Sequence, residues 1–576
     1  MTKINNSPRA EVYLEHALDQ IPRLLSMVDR NEYSLTFGCA DRTYWLDKAI
    51  DFPSSILQYG VHSLAIVYAH KLENNPYYQQ PKIRKWAEAM MNYWVTIQKN
   101  DGSFDEFYPN ERGWAGPTGF LLYAMLGAYE LLKDELSPAF KTKFFSACRK
   151  AADYLAKYDE HGVLANHHAM ALLPIYHYFH VTGDREPLYN FEAKLNEFLG
   201  FQSKEGWFLE YDGADLGYLS ASISFMTKVS KLMQHHPEHA AWKKKVDACM
   251  DSAIEFASYF VYPNGYYGGT MGSRQTLHFY PHGIEVHAAH NALAARMAEH
   301  MRFGVATGAL VTPKIMPERY LGYRLNEYLV TYLDAPQKFP KKELLPWEKK
   351  PFHTYFPLAR IAVYNEKNYY AVLNLAKGGV LKVFDKKTNQ LTINDCGLRM
   401  QDEKGAVFST QWIDEQYVFD VDSKHARVNG ELHRVHVELP TPSKMMALRA
   451  ALITLGSDTD LAYKIKGKIR ERIILKNKRV PIPFSRKITF GEKEIVIEDR
   501  VETTKAENPF SRGTLGDEFS IRYVPQSLYF QMQELGVSGY SIPSDKLVHV
   551  NQHGELSVER TVSTSTGKVM GVHYHD

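Results

Sequence analysis

Asn166-His167-His168 interrupts the apolar run of Val163, Leu164, Ala165, Ala169, Ala171, Leu172 and Leu173, which has the character of a buried helix start. Polar side chains at such a place need partners or a ligand. An amide beside an imidazole supplies a neutral hydrogen-bond donor and a group that titrates near neutrality. That pair suits holding a carboxylate and moving a proton, with His168 as a further substrate contact. The plain alternative is an Asn N-cap followed by structural histidines.

Three other stretches carry chemistry-bearing residues. Glu205-Gly-Trp-Phe-Leu-Glu-Tyr-Asp-Gly-Ala-Asp-Leu-Gly-Tyr-Leu-Ser brings Tyr211, Asp212 and Tyr218 onto a loop that runs into a helix. A tyrosine there can act as acid or base if neighbouring cations depress its pKa. Next, Gly269-Thr-Met-Gly-Ser-Arg-Gln-Thr-Leu-His-Phe-Tyr-Pro-His-Gly-Ile-Glu crowds Arg274, His278, His282 and Glu285 into a Gly/Pro-broken segment typical of a binding loop. The planar fork of Arg274 matches a carboxylate. His278, His282, Glu285, His287 and His290 also invite a metal reading, but Pro281 and Gly283 break a ligand-bearing helix face and no HExxH is present. Lastly, Asp101-Gly-Ser-Phe-Asp-Glu-Phe-Tyr-Pro-Asn-Glu-Arg-Gly-Trp offers Glu106, Tyr108, Arg112 and Trp114 as subsite residues, or as a chance cluster on a surface loop.

Jointly these loops supply a carboxylate neutraliser (Asn166, Arg274), a proton acceptor (His167 or Tyr218) and a proton donor (Tyr218 or His282). The set fits abstraction of a proton next to a carboxylate, such as C5–H of a uronic acid. Loss of the 4-linked sugar by β-elimination then makes a lyase, and return of the proton to the opposite face makes an epimerase.

Helices must position these loops. From about Glu11 to Leu310, segments such as Val12 to Val28, Ile56 to Leu72, Lys82 to Gln98, Phe120 to Leu132, Ala139 to Tyr158, Leu188 to Leu199, Leu219 to Met233 and Trp242 to Tyr259 show apolar residues at three- and four-residue spacing. Gly-aromatic loops (Asp101-Gly-Ser-Phe, His161-Gly-Val-Leu, Glu205-Gly-Trp-Phe, Asn264-Gly-Tyr-Tyr) recur between them at roughly the length of one helical hairpin. The spacing predicts an (α/α) toroid of helical hairpins over residues 1–334. A Pro- and Lys-rich linker is expected over 335–351. From 352 to 576, two-residue alternation predicts a C-terminal antiparallel β-sandwich, giving a multidomain chain, α then β. Within it, Lys464, Lys466, Lys468, Arg470 and Arg472 alternate with Ile465, Ile469 and Ile473, which as a strand would gather the cations on one face. Such a face suits an acidic polymer or a peripheral contact with an anionic membrane; its plain alternative is a protected edge strand.

Composition narrows the classes. The 576 residues are 45% hydrophobic and 23% charged, as in a soluble globular protein of two or three domains. A net charge of +2 gives no general attraction to nucleic acid, so none is expected as a partner. Four scattered cysteines argue against a disulfide framework or zinc ribbon. No apolar leader follows Met1 and no apolar run reaches membrane-span length, so a cytoplasmic location is expected, or a periplasmic one if a leader was removed.

With these residues in place, the chain resembles the heparinase II/III-like polysaccharide lyases and related uronyl C5-epimerases. Asn166-His167 is similar to that group's Asn-His pair, Tyr218 in Asp-Gly-Ala-Asp-Leu-Gly-Tyr to its tyrosine, and His282 or His278 to its second histidine. Ala359-Arg-Ile-Ala-Val-Tyr-Asn-Glu-Lys-Asn-Tyr-Tyr is similar to the entry of its first sheet. The resemblance implies a toroid joined to a sandwich with the cleft between them, a uronate-containing anionic polysaccharide or oligosaccharide as partner, and no cofactor required for catalysis. Some members carry a structural divalent metal in the sandwich, which no residue set here places. A non-catalytic carbohydrate-binding protein, and a glycoside hydrolase using Glu106 and Asp212, are the alternatives from other classes.

Overall fold

The structure, a computed structural model, describes residues 9–160, 162, 164–435, 439–470, 478–516, 518, 519, 521, 524, 527–536 and 539–575, without the side chains of 469, 470 and 534. Six helices, α4 (Val61–Ala69), α6 (Leu121–Leu132), α8 (Ala165–Thr182), α10 (Leu216–Met233), α12 (His282–His287) and α14 (Glu318–Asp334), pack each against the next, and α14 returns to α4. That closes a ring. Around it lie α5 (Pro81–Ile97), α7 (Pro138–Lys157), α9 (Phe191–Gly200), α11 (Ala240–Ser258), α13 (Ala292–Ala306) and α1 (Glu11–Leu18), with α1 packed on both α14 and α13. Two short helices, α2 (Ile21–Met27) and α3 (Arg42–Trp45), follow α1. The expected single helix from Val12 to Val28 is thus broken, because Pro22 sits in the first turn of α2, the position a proline tolerates.

Sequence separates the two rings. Outer helix α7 buries one stripe, Phe140, Phe144, Ala147, Cys148 and Ala151, at helical spacing. Inner helix α10 buries every residue from Leu216 to Ser230, as a helix enclosed on all sides must. The recurring Gly-aromatic loops have a steric cause. Gly102 and Gly206 adopt φ of +91° and +99°, and a Cβ on either would lie 2.1 Å from the Lys150 carbonyl oxygen or 2.3 Å from that of Ser252, in the neighbouring outer helices α7 and α11. Gly162 has open space around it, and its flanking residues 161 and 163 lie outside the described set.

The C-terminal region is two antiparallel sheets. The first, of five strands in sequence order, runs β3 (Phe352–Phe356), β4 (Ile361–Asn365), β5 (Tyr369–Asn374), β6 (Val380–Asp385) and β7 (Gln390–Asp395); the short hairpin β1 (Leu209–Glu210) and β2 (Gly213–Ala214) belongs to the helical part. The second contains β8 (Leu398–Asp402), β9 (Val407–Ser409), β10 (Val418–Val421), β11 (His425–Val435), β12 (Arg479–Phe490), β13 (Glu494–Glu502), β14 (Phe510–Leu515), β15 (Tyr540–Ser541), β16 (Glu555–Ser563) and β17 (Val569–Tyr574). Its spatial order is β15-β14-β8-β9-β11-β12-β13-β16-β17, with β10 on β11. Helix α17 (Ser544–His553) packs on β14 and β16.

Ala362, Tyr364, Ala371, Leu373, Leu381 and Val383 of the smaller sheet share a core with Val428, Phe484, Ile488 and Ile497 of the larger one, as in a sandwich. The opposite face, Ile361, Val363, Tyr370, Val372, Val380 and Phe384, joins the core of the helical ring. Strands β4 to β6 are therefore buried on both faces and lack a polar one, whereas β12, β13 and β16 alternate. Segment 335–351 is held too: Leu345 is fully buried and Glu348 pairs with Arg296 at 2.5 Å.

The basic stretch differs from expectation. An excursion between β11 and β12 forms α15 (Pro442–Thr454) and α16 (Thr459–Arg470), so Lys464, Lys466 and Lys468 stand on a helix, where two-residue spacing splits them between faces. Asp458 caps this helix by accepting the Leu461 N–H at 2.9 Å, and Ala462 is buried with Ile465, three residues on, half-buried, a helical period that prevails over the alternation. The single basic face proposed for membrane contact is not formed; the Arg470 side chain and Arg472 lie outside the described residues. Among the described residues no helix is long and apolar enough to cross a membrane.

Candidate active site

The first turns of inner helices α8 and α10 lie near one another, the β1–β2 hairpin that leads into α10 reaching the start of α8 through Glu210. The positive ends of their dipoles favour negative charge there. Asn166 and His167 lie in the first turn of α8 and Tyr218 in the first turn of α10. Asp215 caps α10 by accepting the Tyr218 N–H at 3.2 Å; it also takes the Arg274 N–H at 3.0 Å and the Thr276 hydroxyl. One carboxylate thus fixes both the helix bearing the tyrosine and the loop bearing the arginine. Burial pushes its pKa up to about 6, against those hydrogen bonds.

The β1–β2 hairpin presents Glu210, fully buried, to Asn166, whose backbone N–H donates to Oε1 at 2.5 Å and whose Nδ2 lies 3.0 Å from each carboxylate oxygen. Tyr211, at φ +60°, places its ring under Arg274, with the guanidinium carbon 4.1 Å from the ring centre. Arg274 is 1% exposed, donates from Nη1 to Asp212 Oδ2 at 3.2 Å, and leaves Nη2 without a partner. Burial lowers its pKa, opposed by the neighbouring Tyr211, Asp215, Tyr218 and Glu210.

Tyr218 is buried, its ring 5.3 Å from that of His278 in an edge-on contact and 6.1 Å from that of Tyr211. Burial, with Tyr211, Asp215 and Glu210 adding to it, holds its pKa well above the usual phenol value, so the hydroxyl is protonated in the free protein. His167 is the open member of the set, at 30% side-chain exposure, with Nδ1 3.1 Å from Oε2 of the buried Glu160. A carboxylate on Nδ1 selects the tautomer that leaves Nε2 as acceptor. His168 turns inward, edge-on to Trp114 and Phe201, and burial lowers its pKa to about 4. Its place is structural.

The sandwich supports the arginine loop from beneath. Lys377, in the β5–β6 turn, donates to the carbonyls of Thr270 at 3.0 Å and Gly272 at 2.8 Å, and Asn374 donates to that of Met271 at 2.6 Å. Burial brings the Lys377 pKa down to about 8. Nothing in the sequence marks Lys377, Asn374 or Glu160, because no local pattern shows a sheet turn to be the floor of a loop 107 residues earlier; Glu210 and Asp215 are visible there only as members of their stretch.

Other expected residues separate from this group. His282 heads α12, its N–H donating to Glu327 at 3.1 Å and its Nε2 2.7 Å from Asp334, so His278 and not His282 stands against Tyr218. Glu285 is wholly buried between Arg302 and the Tyr13 hydroxyl and cannot reach a substrate. Arg112 is used by Asp101 and by the carbonyls of Gly456 and Ser457 ahead of α16, and Trp114 is buried with Nε1 donating to Leu155 O at 3.2 Å; neither is a free subsite wall. Glu106 pairs with Arg319, whose guanidinium covers the Phe107 ring, and Tyr108 is half-buried. Of the histidines considered for a metal, His287 and His290 meet Asp251, while Asp159, His168 and Glu197 form another possible ligand group. Among the described residues both groups lie in the helical part, and none is in the sheets.

No protein-family model and no curated protein sequence matches the chain. Among solved structures, a chondroitin AC lyase from Streptomyces coelicolor in complex with chondroitin sulphate is similar over 89% of this chain and 69% of its own, at 10% identity and a TM-score of 0.51. A heparinase III is similar over 99% of this chain and 89% of its own, at 11% identity and a TM-score of 0.40. A sugar epimerase from a ruminal bacterium covers 56% of this chain and 98% of its own, at 10% identity and a TM-score of 0.40. The first of these likenesses, at so low an identity, speaks for the fold alone: the chain has the toroid-plus-sandwich architecture found among polysaccharide lyases.

Proposed function

We propose that the protein is a polysaccharide lyase that abstracts the C5 proton of a uronic acid in an anionic polysaccharide or oligosaccharide and cleaves the 4-linkage by β-elimination. The observation that carries this reading is the buried Arg274 with its unpartnered Nη2, set near a protonated Tyr218 in the first turn of α10. A uronate carboxylate satisfies that N–H and makes C5–H acidic enough to remove. Asn166 gives its amide hydrogens to Glu210, so Arg274 carries most of the neutralisation. Nε2 of His167, with Nδ1 held by Glu160, takes the proton. The C–H electron pair becomes the C4–C5 double bond, the C4–O bond breaks, and the Tyr218 hydroxyl protonates the departing oxygen.

The test is incubation in heavy water with glucuronate-, galacturonate-, mannuronate- and iduronate-containing polymers, followed by ultraviolet absorbance and proton NMR. The lyase produces a 4,5-unsaturated uronate. Deuterium at C5 without cleavage turns the assignment to a uronyl C5-epimerase, and neither signal with any polymer ends the proton-abstraction reading. Tyr218→Phe separates enzyme from binder: turnover falls by about 10²–10⁴ with binding kept, whereas in a non-catalytic binder the substitution changes nothing that depends on turnover.

A further inference from the structure

Next to Tyr218 lies a small cavity of about 10 Å³ that the proposed mechanism does not use, lined by His278, Tyr280, Met316, Tyr320, Tyr323, Arg324 and Tyr529. Its walls hold three deeply buried polar groups without partners. Arg324, 3% exposed, spends Nη1 on the Phe279 carbonyl and stacks on Tyr280 at 4.5 Å, while its Nε finds no acceptor. His278, 1% exposed, closes no hydrogen bond with either ring nitrogen, although the Gly217 backbone is near. Tyr529, 4% exposed, has an unbonded hydroxyl. Buried polar groups are ordinarily paired, so three in one cavity indicate a site built for something else. Two of them suit an anion: the guanidinium by charge, and the imidazole as an N–H donor.

The space is roughly that of one water molecule, so an oxygen-rich anion fits only if a wall moves. Tyr529 is the one of these lining residues contributed from outside the helical ring. It comes from the C-terminal region, and its segment meets the helical ring through polar contacts of Gln533, with Asn264 at 3.1 Å and the Tyr266 hydroxyl at 3.3 Å. His278 touches both Tyr218 and Tyr280, which places the cavity one ring's width from the proposed reacting centre.

We propose that this cavity is an anion subsite for a carboxylate or sulfate group on a sugar adjoining the reacting one, and that the Tyr529 side chain fills it in the free protein. The adjoining sugar rests on the proposed lyase reading; the anion site does not. Inorganic sulfate and glucuronate are titrated separately by calorimetry into the full-length protein and into Tyr529→Gly. Opening the cavity tightens one or both by about tenfold or more, and Arg324→Gln added to Tyr529→Gly removes the gain. The anion that responds identifies the group the subsite takes. Unchanged affinity in Tyr529→Gly, or a gain that survives Arg324→Gln, overturns the subsite, because an anion held by Arg274 alone depends on neither residue. Should the double variant fail to fold, anomalous diffraction from selenate soaked into Tyr529→Gly decides: a peak at Arg324 supports the subsite and its absence rejects it. Arg324-dependent binding without turnover on any polymer keeps the subsite and removes the lyase; turnover without Arg324-dependent binding does the reverse.

Discussion

Arg274 combines a stacked guanidinium over Tyr211, an ion pair with Asp212 and an N–H left over for a ligand. A lysine keeps the charge but not the plane or the fork. Arg274→Lys therefore lowers kcat/KM on a uronate polymer by about 10²–10³, and steady-state kinetics with a circular-dichroism check on folding measures it; a change of less than severalfold removes Arg274 from the reacting centre. His167 yields a sharper split, since it is open to solvent and carries little of the packing. His167→Ala lowers kcat by about 10²–10⁴ with KM little changed. Glu160→Gln keeps a hydrogen-bond acceptor on Nδ1 but removes the negative charge that stabilises the imidazolium formed when His167 takes the proton, so kcat falls by less than in His167→Ala. An unchanged kcat in Glu160→Gln would make Glu160 a packing residue.

At the scale of elements, α10 and the arginine loop stand or fall with Asp215. Asp215→Ala removes the helix cap and strands the buried N–H groups of Tyr218 and Arg274, at a cost of about 2–4 kcal/mol. Asp215→Asn keeps an acceptor and costs less. Urea-denaturation midpoints rank the two, and equal midpoints would show that the cap does not hold the loop. The elements were largely legible in the sequence because a closed ring needs one apolar stripe on each outer helix and apolar surroundings for each inner one, which α7 and α10 spell out. Asn166, Tyr218 and Arg274 were legible as a group because each is a polar interruption where a helix or loop begins. What stayed hidden depends on direction and depth. His278 and His282 are four residues apart, but α12 starts between them and sends one ring to Tyr218 and the other to Asp334. Arg112 and Trp114 have the residue types of a sugar subsite and equally those of a buried lock, and only their burial distinguishes the two. The alternation of Lys464, Lys466 and Lys468 read as a strand because the charges outnumber the few apolar positions that carry the helical period.

Over the whole molecule, the five-stranded sheet is shared between two cores, so the helical ring and the sandwich cannot separate without exposing Val363, Tyr370, Val372 and Phe384. The two halves then respond together to changes that act on either. Acid is such a change. His62 and His300 in the helical ring are held by burial to pKa values of about 3 and about 4, and His433 in the sandwich to about 4, all below the ordinary 6.5. Each stays neutral in the folded protein while the unfolded chain takes up a proton, so their contribution is complete above about pH 6.5 and is lost as pH falls from there towards 4, up to about 3 kcal/mol apiece. Asp215, raised to about 6 by burial, works in the opposite sense, as one group against several histidines. The urea midpoint therefore drops between pH 7.5 and pH 4.5. His300→Gln, which retains a donor for the Tyr262 carbonyl that Nε2 meets at 2.8 Å, flattens that slope by about one proton's worth without splitting the transition. A midpoint independent of pH would show that these histidines are protonated within the fold, and two separate transitions would show that the shared sheet does not bind the halves into one unit.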